Sequence, residues 1–272
     1  MRKDYFKDQV ALISGASRGV GFALARKLVE AGAKVVITAR TEKRLLDSEA
    51  KLKALGGSVV SVVGDVSNWD DAQKMVQAAV DNFGRLDILV NNAGISMRGN
   101  FADLSIEVIR QVAETNLMGS IYLSRAAIPF LKSSKGHLVF ISSIVGLFGV
   151  PGSSIYCASK GALKGLCESL RLELHPLGVH VGIVYLGFTE HDPEKRILRP
   201  DGTGSPPDRP AHHSQAYAAD LIIRLIEKRK AKVVMTPIGK IGAVVSRLFP
   251  GFVERAVLFA QSRNLGIYQR FS

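Results

Sequence analysis

Few folds accommodate the way this chain begins. Residues 9–14, Gln-Val-Ala-Leu-Ile-Ser, form a short apolar run that ends in Gly15-Ala16-Ser17-Arg18-Gly19-Val20-Gly21; an amphipathic stretch follows to Ala31, Gly32 stops it, and a second apolar run occupies 34–39. A continuous apolar run bounded by turn residues reads as a strand buried on both faces. Two such runs joined through a helix make a right-handed parallel βαβ unit. Gly15 permits the tight turn, Gly19 allows the backbone to approach a pyrophosphate closely, and Gly21 allows close helix packing. The amides at the start of the helix then face the anion.

The alternation continues along the chain. Helix is expected over 41–55, ended by Gly56-Gly57, then over 68–83, 105–132, 154–175 and 214–230; strands are expected over 58–64, 86–90, 137–141, 179–185 and 232–235. Strands separated by helices need both sheet faces covered, so the expected fold is α/β, a single doubly wound Rossmann-type domain with a seven-stranded parallel sheet and a C-terminal helical extension. Residues 1–237 would form the dinucleotide-binding and catalytic domain. Within it, 190–213 is polar, rich in Pro, Gly, Asp and Arg, and reads as a mobile substrate lid. Residues 238–272 would form the extension packed on the same domain.

Tyr156 and Lys160 stand four apart on an expected helix and so project from one face. An ammonium beside a phenol favours the phenolate and makes the tyrosine a usable proton donor or acceptor near neutrality. Alone, such a pair is commonplace. Here a strand delivers Ser142-Ser143 upstream of it, and a loop holding Gly146, Gly149, Pro151 and Gly152 allows serine and tyrosine hydroxyls to meet. Ser142 competes with Ser143 for that place.

The spacing Gly-x-x-x-Gly-x-Gly after Ser14, the run Asn91-Asn92-Ala93-Gly94, and the order Asn116, Ser143, Tyr156, Lys160 resemble the short-chain dehydrogenase/reductase family over residues 8–190. Ser14 stands where relatives often have threonine, which keeps the hydroxyl. The resemblance implies a catalytic tetrad: Tyr156 as acid, Lys160 lowering its pKa and holding the nicotinamide ribose, Ser143 orienting the carbonyl, and Asn116 supporting a water-linked proton path. It implies cofactor contacts at Gly15, Ser17, Arg18, Gly19, Val20, Gly21, Asn92, Ala93 and Gly94, at Asp65 and Val66 beside the adenine, and at Thr189 beside the nicotinamide amide. Leu186-Gly187 replaces the Pro-Gly usual before that threonine, which leaves the turn less rigid. The implied activity is reduction of a ketone or aldehyde, or the reverse alcohol oxidation. Pairing through the helices at 105–132 and 154–175 is implied as well, giving a homodimer or homotetramer.

An NAD-selective site places a carboxylate at the end of the second strand. This chain has Ala39-Arg40 there, and Arg40 with Arg18 can meet a 2′-phosphate. NADP(H) is therefore the expected cofactor. Two other readings stay open: a non-catalytic NADP-binding sensor, which the fold alone permits, and a serine hydrolase using Ser17, because residues 15–19 also satisfy Gly-x-Ser-x-Gly.

The formal charge is +12, and residues 221–272 carry ten Lys or Arg against two acidic residues, so most of the excess lies in the last fifth. No zinc-ligand spacing or RNA-binding signature accompanies it, and His191, His212 and His213 read as solvated, which leaves no metal and no nucleic acid among the expected partners. No apolar run reaches membrane-spanning length and the charged start lacks a signal-peptide core, which points to the cytoplasm. Cys157 and Cys167, about 15 Å apart along one helix, should be free thiols. In the tail, Ile241, Val244, Val245 and Leu248 follow a helical stripe beside Lys240 and Arg247, then Pro250-Gly251 and a second apolar segment. Such a basic amphipathic element either lies on an anionic membrane or caps an apolar substrate entrance, or it packs on the body or a second subunit. Its Leu, Phe and Val content suggests a bulky apolar substrate such as a lipid, steroid or acyl compound.

Overall fold

The computed structural model describes residues 3–190, 192–207 and 212–263. A single turn, α1 (Lys3–Phe6), leads into β1 (Val10–Ser14), α2 (Gly19–Glu30), β2 (Lys34–Ala39), α3 (Glu42–Lys53), β3 (Val59–Val63), α4 (Trp69–Phe83) and β4 (Ile88–Asn91). Then come α5 (Ile106–Ala113), α6 (Gly119–Ser134), β5 (His137–Ser143), α7 (Ser154–Leu174) and β6 (His180–Leu186). A two-residue hairpin, β7 (Ile197–Leu198) and β8 (Gly204–Ser205), precedes α8 (Gln215–Glu227), β9 (Lys232–Val234), α9 (Pro237–Leu248) and α10 (Pro250–Ser262).

The main sheet has seven strands in the order β3-β2-β1-β4-β5-β6-β9, and every pairing in it is parallel. All five residues of β1 are buried, as a central parallel strand covered on both faces must be. On one face Leu24 and Leu28 of α2 and Ile222 and Ile226 of α8 close the core; on the other, Met75 of α4, Leu131 of α6 and Leu163 of α7 do so. Strand order reverses between β1 and β4. At such a switch point the loops leave in opposite directions and open a crevice at the carboxyl ends of the strands.

The single helix expected over 105–132 is two helices joined by a π turn, Glu114–Met118. Asn116, fully buried in that turn, is the reason: its Oδ1 accepts the Ile95 N–H at 2.8 Å, and its Nδ2 donates to the Ile95 carbonyl at 2.9 Å and to Ser159 Oγ at 3.0 Å. One extra residue in the turn re-aims a side chain without ending the helix, which is the usual functional use of a π bulge.

The expected lid has structure of its own. The β7–β8 hairpin bonds to the segment after β4, with Arg98 N–H donating to the Leu198 carbonyl and Leu198 N–H to the Ser96 carbonyl, each at 2.9 Å. His212 and His213 were expected in water. His212 is exposed but lies 6.0 Å, ring to ring, from Phe188, and half-buried His213 lies 5.4 Å from Tyr217 with its carbonyl accepting the Glu190 N–H. His191, residues 208–211 of the lid and residues 264–272 of the extension lie outside the described residues.

Candidate active site

Two loops are stitched together at the crevice. Ser14 Oγ accepts the N–H groups of Asn92 and Ala93, both at 3.0 Å, while Asn92 Nδ2 donates to the carbonyls of Ser14 at 2.8 Å and Gly15 at 3.1 Å. Gly15 has φ +64°, and a Cβ there would stand 2.8 Å from the Ala93 Cα, so only glycine lets the loops approach this closely. Gly19 also has positive φ, +62°, but a Cβ there would meet nothing within 4 Å. The open side faces the crevice. Arg18 holds the cap position of α2 without a side-chain cap bond, so the first amides of that helix have a free anion-binding end.

One cleft of about 330 Å³ runs along the carboxyl ends of β1, β2, β4, β5 and β6. Gly15, Ser17, Arg18, Gly19, Val20 and Gly21 line one end of it, with Arg40, Asp65 and Val66; Asn92, Ala93 and Gly94 line the middle; Ser143, Tyr156, Lys160 and Thr189 line the other end. Asn116 stands behind the middle of the cleft, where a Cβ on Gly94 would lie 3.1 Å from both Asn116 Oδ1 and Lys160 Nζ.

Tyr156 and Lys160 share one face of α7. Lys160 is buried, and its Nζ donates to the Ile141 carbonyl at 3.0 Å, which holds the ammonium under the cleft and leaves two donors over. Burial, helped by the positive charge of Lys195, lowers its pKa to about 8. Ser142 and Ser143 both line the cleft; the Ser142 Oγ donates to the Lys160 carbonyl at 2.8 Å and so ties β5 to α7, while Ser143 is half-buried at the strand end. Their side chains leave the strand in opposite directions, as those of successive strand residues do.

At the other end, Arg18 lies 3.5 Å from Asp192, Arg40 lies 3.5 Å from Asp65, and Arg44 pairs with Glu194. Asp65 is not the cap of α4; that is Asn68, which accepts the Asp71 N–H. The Asp65 carboxylate instead accepts the N–H and hydroxyl of Ser67, bonds that with Arg40 keep it ionised below its ordinary range although burial opposes them.

Sequence reading missed Arg44, Arg98 and Lys195, all of which line the cleft. Arg44 was legible in principle, since it lies in the first turn of α3, the helix that follows Arg40. Arg98 and Lys195 lie on loops without a period. Burial pulls the Arg98 guanidinium below its ordinary value, while the Tyr156 phenol and Cys157 thiol act the other way.

Among the described residues no histidine is hydrogen-bonded to Ser17, as a hydrolase nucleophile would need. Ser17 follows the carboxyl end of β1, while buried His137 and His180 begin β5 and β6 at the opposite end of a parallel sheet. Among the described residues no cluster of His, Cys, Asp and Glu could hold a metal ion, and no helix is long and apolar enough to cross a membrane.

A doubly wound sheet with a glycine-loop crevice at its switch point defines a Rossmann-type dinucleotide-binding oxidoreductase fold. The chain belongs to the short chain dehydrogenase family, whose sequence model matches residues 9–200. That family binds a nicotinamide cofactor and acts on small-molecule substrates. The chain is 43% identical over 185 residues to 11-beta-hydroxysteroid dehydrogenase-like 4A of Arabidopsis thaliana, covering 67% of this chain and 62% of that protein, so the match spans less than two thirds of the relative. It is 30% identical over 254 residues to ketoacyl reductase HetN of Nostoc sp., covering 91% of this chain and 87% of that one. A short chain dehydrogenase/reductase from Burkholderia phymatum, solved in complex with NAD, superposes with a TM-score of 0.78 at 25% identity, over 92% of this chain and 96% of the other.

Proposed function

We propose that this protein is an NADP(H)-dependent reductase of a ketone or aldehyde on a bulky apolar substrate, able to run in reverse as an alcohol dehydrogenase. The observation that carries the proposal is a single cleft lined by Ser143, Tyr156 and Lys160 at one end and by the glycine loop with three arginines at the other.

The residues fit the cofactor. Open space beside Gly19, the uncapped start of α2, and Arg18, Arg40 and Arg44 suit a pyrophosphate and a 2′-phosphate. No carboxylate ends β2, the position that would grip an unphosphorylated ribose. When bound, the nicotinamide supplies or accepts the hydride.

Tyr156 gives its phenolic proton to the carbonyl oxygen as negative charge develops there. Ser143 donates a hydrogen bond to the same oxygen. Lys160 favours the phenolate left behind and presents its remaining N–H donors to the cleft. Asn116 acts through position, holding Ile95 and the π turn so that a proton path runs behind Lys160. Asp65 and Val66 would flank the adenine, and Thr189 the nicotinamide amide.

We further infer that residues 1–237 are the catalytic unit, with 190–213 its lid and 238–272 an appended helical extension. Copies pair through α5, α6 and α7, where Leu172 is 78% exposed. Two free thiols fit a reducing compartment, the cytoplasm.

Tyr156→Phe tests the reading. It should abolish carbonyl reduction while NADPH still binds with nearly unchanged affinity; undiminished turnover would refute it. Wild-type protein that binds NADPH but turns over no member of a broad carbonyl panel would instead mark a sensor.

A further inference from the structure

The last two helices of the described chain present a greasy, positively charged outer face. Ile241, Val244 and Leu248 lie at positions i, i+3 and i+7 of α9, Phe249 forms the joint, and Phe252 and Phe259 lie seven apart on α10; these six side chains are each 57–67% exposed. Scattered exposed apolar residues are normal on any protein, but with Leu258, 62% exposed, there are seven large ones within 19 positions, a density of the kind that marks an interaction site.

The inner side of α9 is seated on the body. Gly242 lies against Phe148, whose ring carbon would be 3.1 Å from a Cβ there, and Gly239 lies against Ile144, at 2.9 Å by the same measure. Both partners belong to the loop after Ser143. The extension is thus attached through its glycine side, and the apolar stripe is what remains outside.

Charge selects the occupant. Residues 237–263 include Lys240, Arg247, Arg255 and Arg263 and a single acidic residue, Glu254. Exposed Lys240 adjoins Ile241, and Lys232 and Lys240 flank an apolar groove between β9 and α9 lined by Val244 and Leu248. Arg263 lies over the Phe259 ring, 5.7 Å from its centroid. Isologous pairing of this face with a second copy would set like charges against each other. An anionic lipid surface presents the opposite charge and an apolar layer beneath it. Each helix has only 12 or 13 residues, enough to lie in an interface and too few to span it.

We propose that α9 and α10 form a docking face for an anionic bilayer surface, with the apolar stripe entering the headgroup–acyl boundary and the basic side chains meeting the headgroups. This face lies outside the cleft and does not depend on which carbonyl compound the enzyme reduces.

Vesicle co-sedimentation of the full chain tests it, with phosphatidylcholine vesicles and with vesicles holding 30% phosphatidylserine, a fraction chosen to be on the order of physiological anionic content. Binding to the anionic vesicles should be at least about tenfold stronger than to the zwitterionic ones, and 0.5 M salt should remove most of that difference, being well above the roughly 0.1 M at which screening sets in. The double variant Phe252→Asp, Phe259→Asp should lose binding about tenfold or more. Both positions are exposed, so the variant should keep its melting temperature and its NADPH affinity. Equal binding to both vesicle types, no sedimentation of wild type, or a fall of the double variant from oligomer to monomer would each overturn the proposal.

Discussion

Asn116 and Ile95 are joined twice: the asparagine side chain accepts the isoleucine N–H at 2.8 Å and donates to its carbonyl at 2.9 Å. An amide side chain carries an acceptor and a donor side by side and so closes such a ring in the place of a peptide partner without needing a proton from solution. The clamp fixes the segment after Asn91-Asn92-Ala93-Gly94 against the π turn and brings Asn116 Oδ1 and Lys160 Nζ to the same side of Gly94.

Asn116→Leu removes both halves of the clamp and leaves two backbone groups without partners. Unfolding free energy should fall by about 2 kcal/mol, the usual cost of such losses. Chemical denaturation measures it. Turnover should fall at least about tenfold, since a small displacement of the reacting groups is costly. Unchanged stability and rate would show that the clamp is idle.

The buried ammonium of Lys160, lowered to about 8, predicts how rate depends on pH. Below that value the lysine is charged and favours phenolate; above it the charge is lost. Specificity for carbonyl reduction should therefore decline as pH rises through about 8. Because Lys195 helps to lower the value, Lys195→Ala should move the decline upward. A pH–rate profile with the same limb in both proteins would contradict this.

Arg18→Ala and Arg40→Ala should each reduce the preference for NADPH over NADH by about tenfold, the value of one charge-assisted hydrogen bond. Asp192 lies 3.5 Å from Arg18 and competes with a phosphate for it. Removing that partly exposed carboxylate as Asp192→Asn should lower the KM for NADPH only about twofold, because solvent screens such pairs. Steady-state kinetics with both cofactors reads all three.

Two glycine substitutions should separate folding from cofactor binding. Both positions have positive φ, where alanine is strained by about 1 kcal/mol. Gly15→Ala adds a collision with Ala93 and should lower the melting temperature markedly. Gly19→Ala meets only open space, so its main effect should be weaker NADPH binding, measurable by fluorescence titration.

Acid stability should report a buried chain of neutral imidazoles. Tyr5 OH donates to His137 Nε2, the two histidines share a bond between their Nδ1 atoms, and His180 Nε2 donates to the Lys230 carbonyl, each at 2.9 Å. With His180 Nε2 bearing the proton, its Nδ1 must accept, which settles the direction of the whole chain. Burial lowers His137 to about 3 and His180 to about 4, from 6.5. The unfolded chain therefore binds more protons between about pH 4 and 6.5. Stability should fall as pH drops through that window, by roughly 1 kcal/mol per pH unit for each ring. His137→Gln should flatten the dependence, and equal stability of wild type at pH 7 and 5 would exclude this account.

Strand boundaries were read to within about two residues because β1, β2, β5 and β6 are continuous apolar runs closed by turn residues. The π turn escaped because an inserted residue shifts the apolar stripe by one position without erasing it, and Asn116 looks the same in sequence whether it faces solvent or Ile95. Ser142 and Ser143 are chemically identical neighbours that both line the cleft, and only the fold engages the Ser142 hydroxyl with the Lys160 carbonyl.

What the amino-acid order determined by itself was everything governed by local periodicity and by glycine: the alternation of strands and helices, the loop at residues 15–21, the helix that sets Tyr156 and Lys160 on one face, and the basic apolar tail. What only the tertiary structure decided was everything that depends on contacts between distant segments. Arg98 and Lys195 reached the cleft, Lys160 became a buried ammonium, and α9 turned its glycines inward. Burial and charge are sums over neighbours in space, and no spacing along the chain contains them.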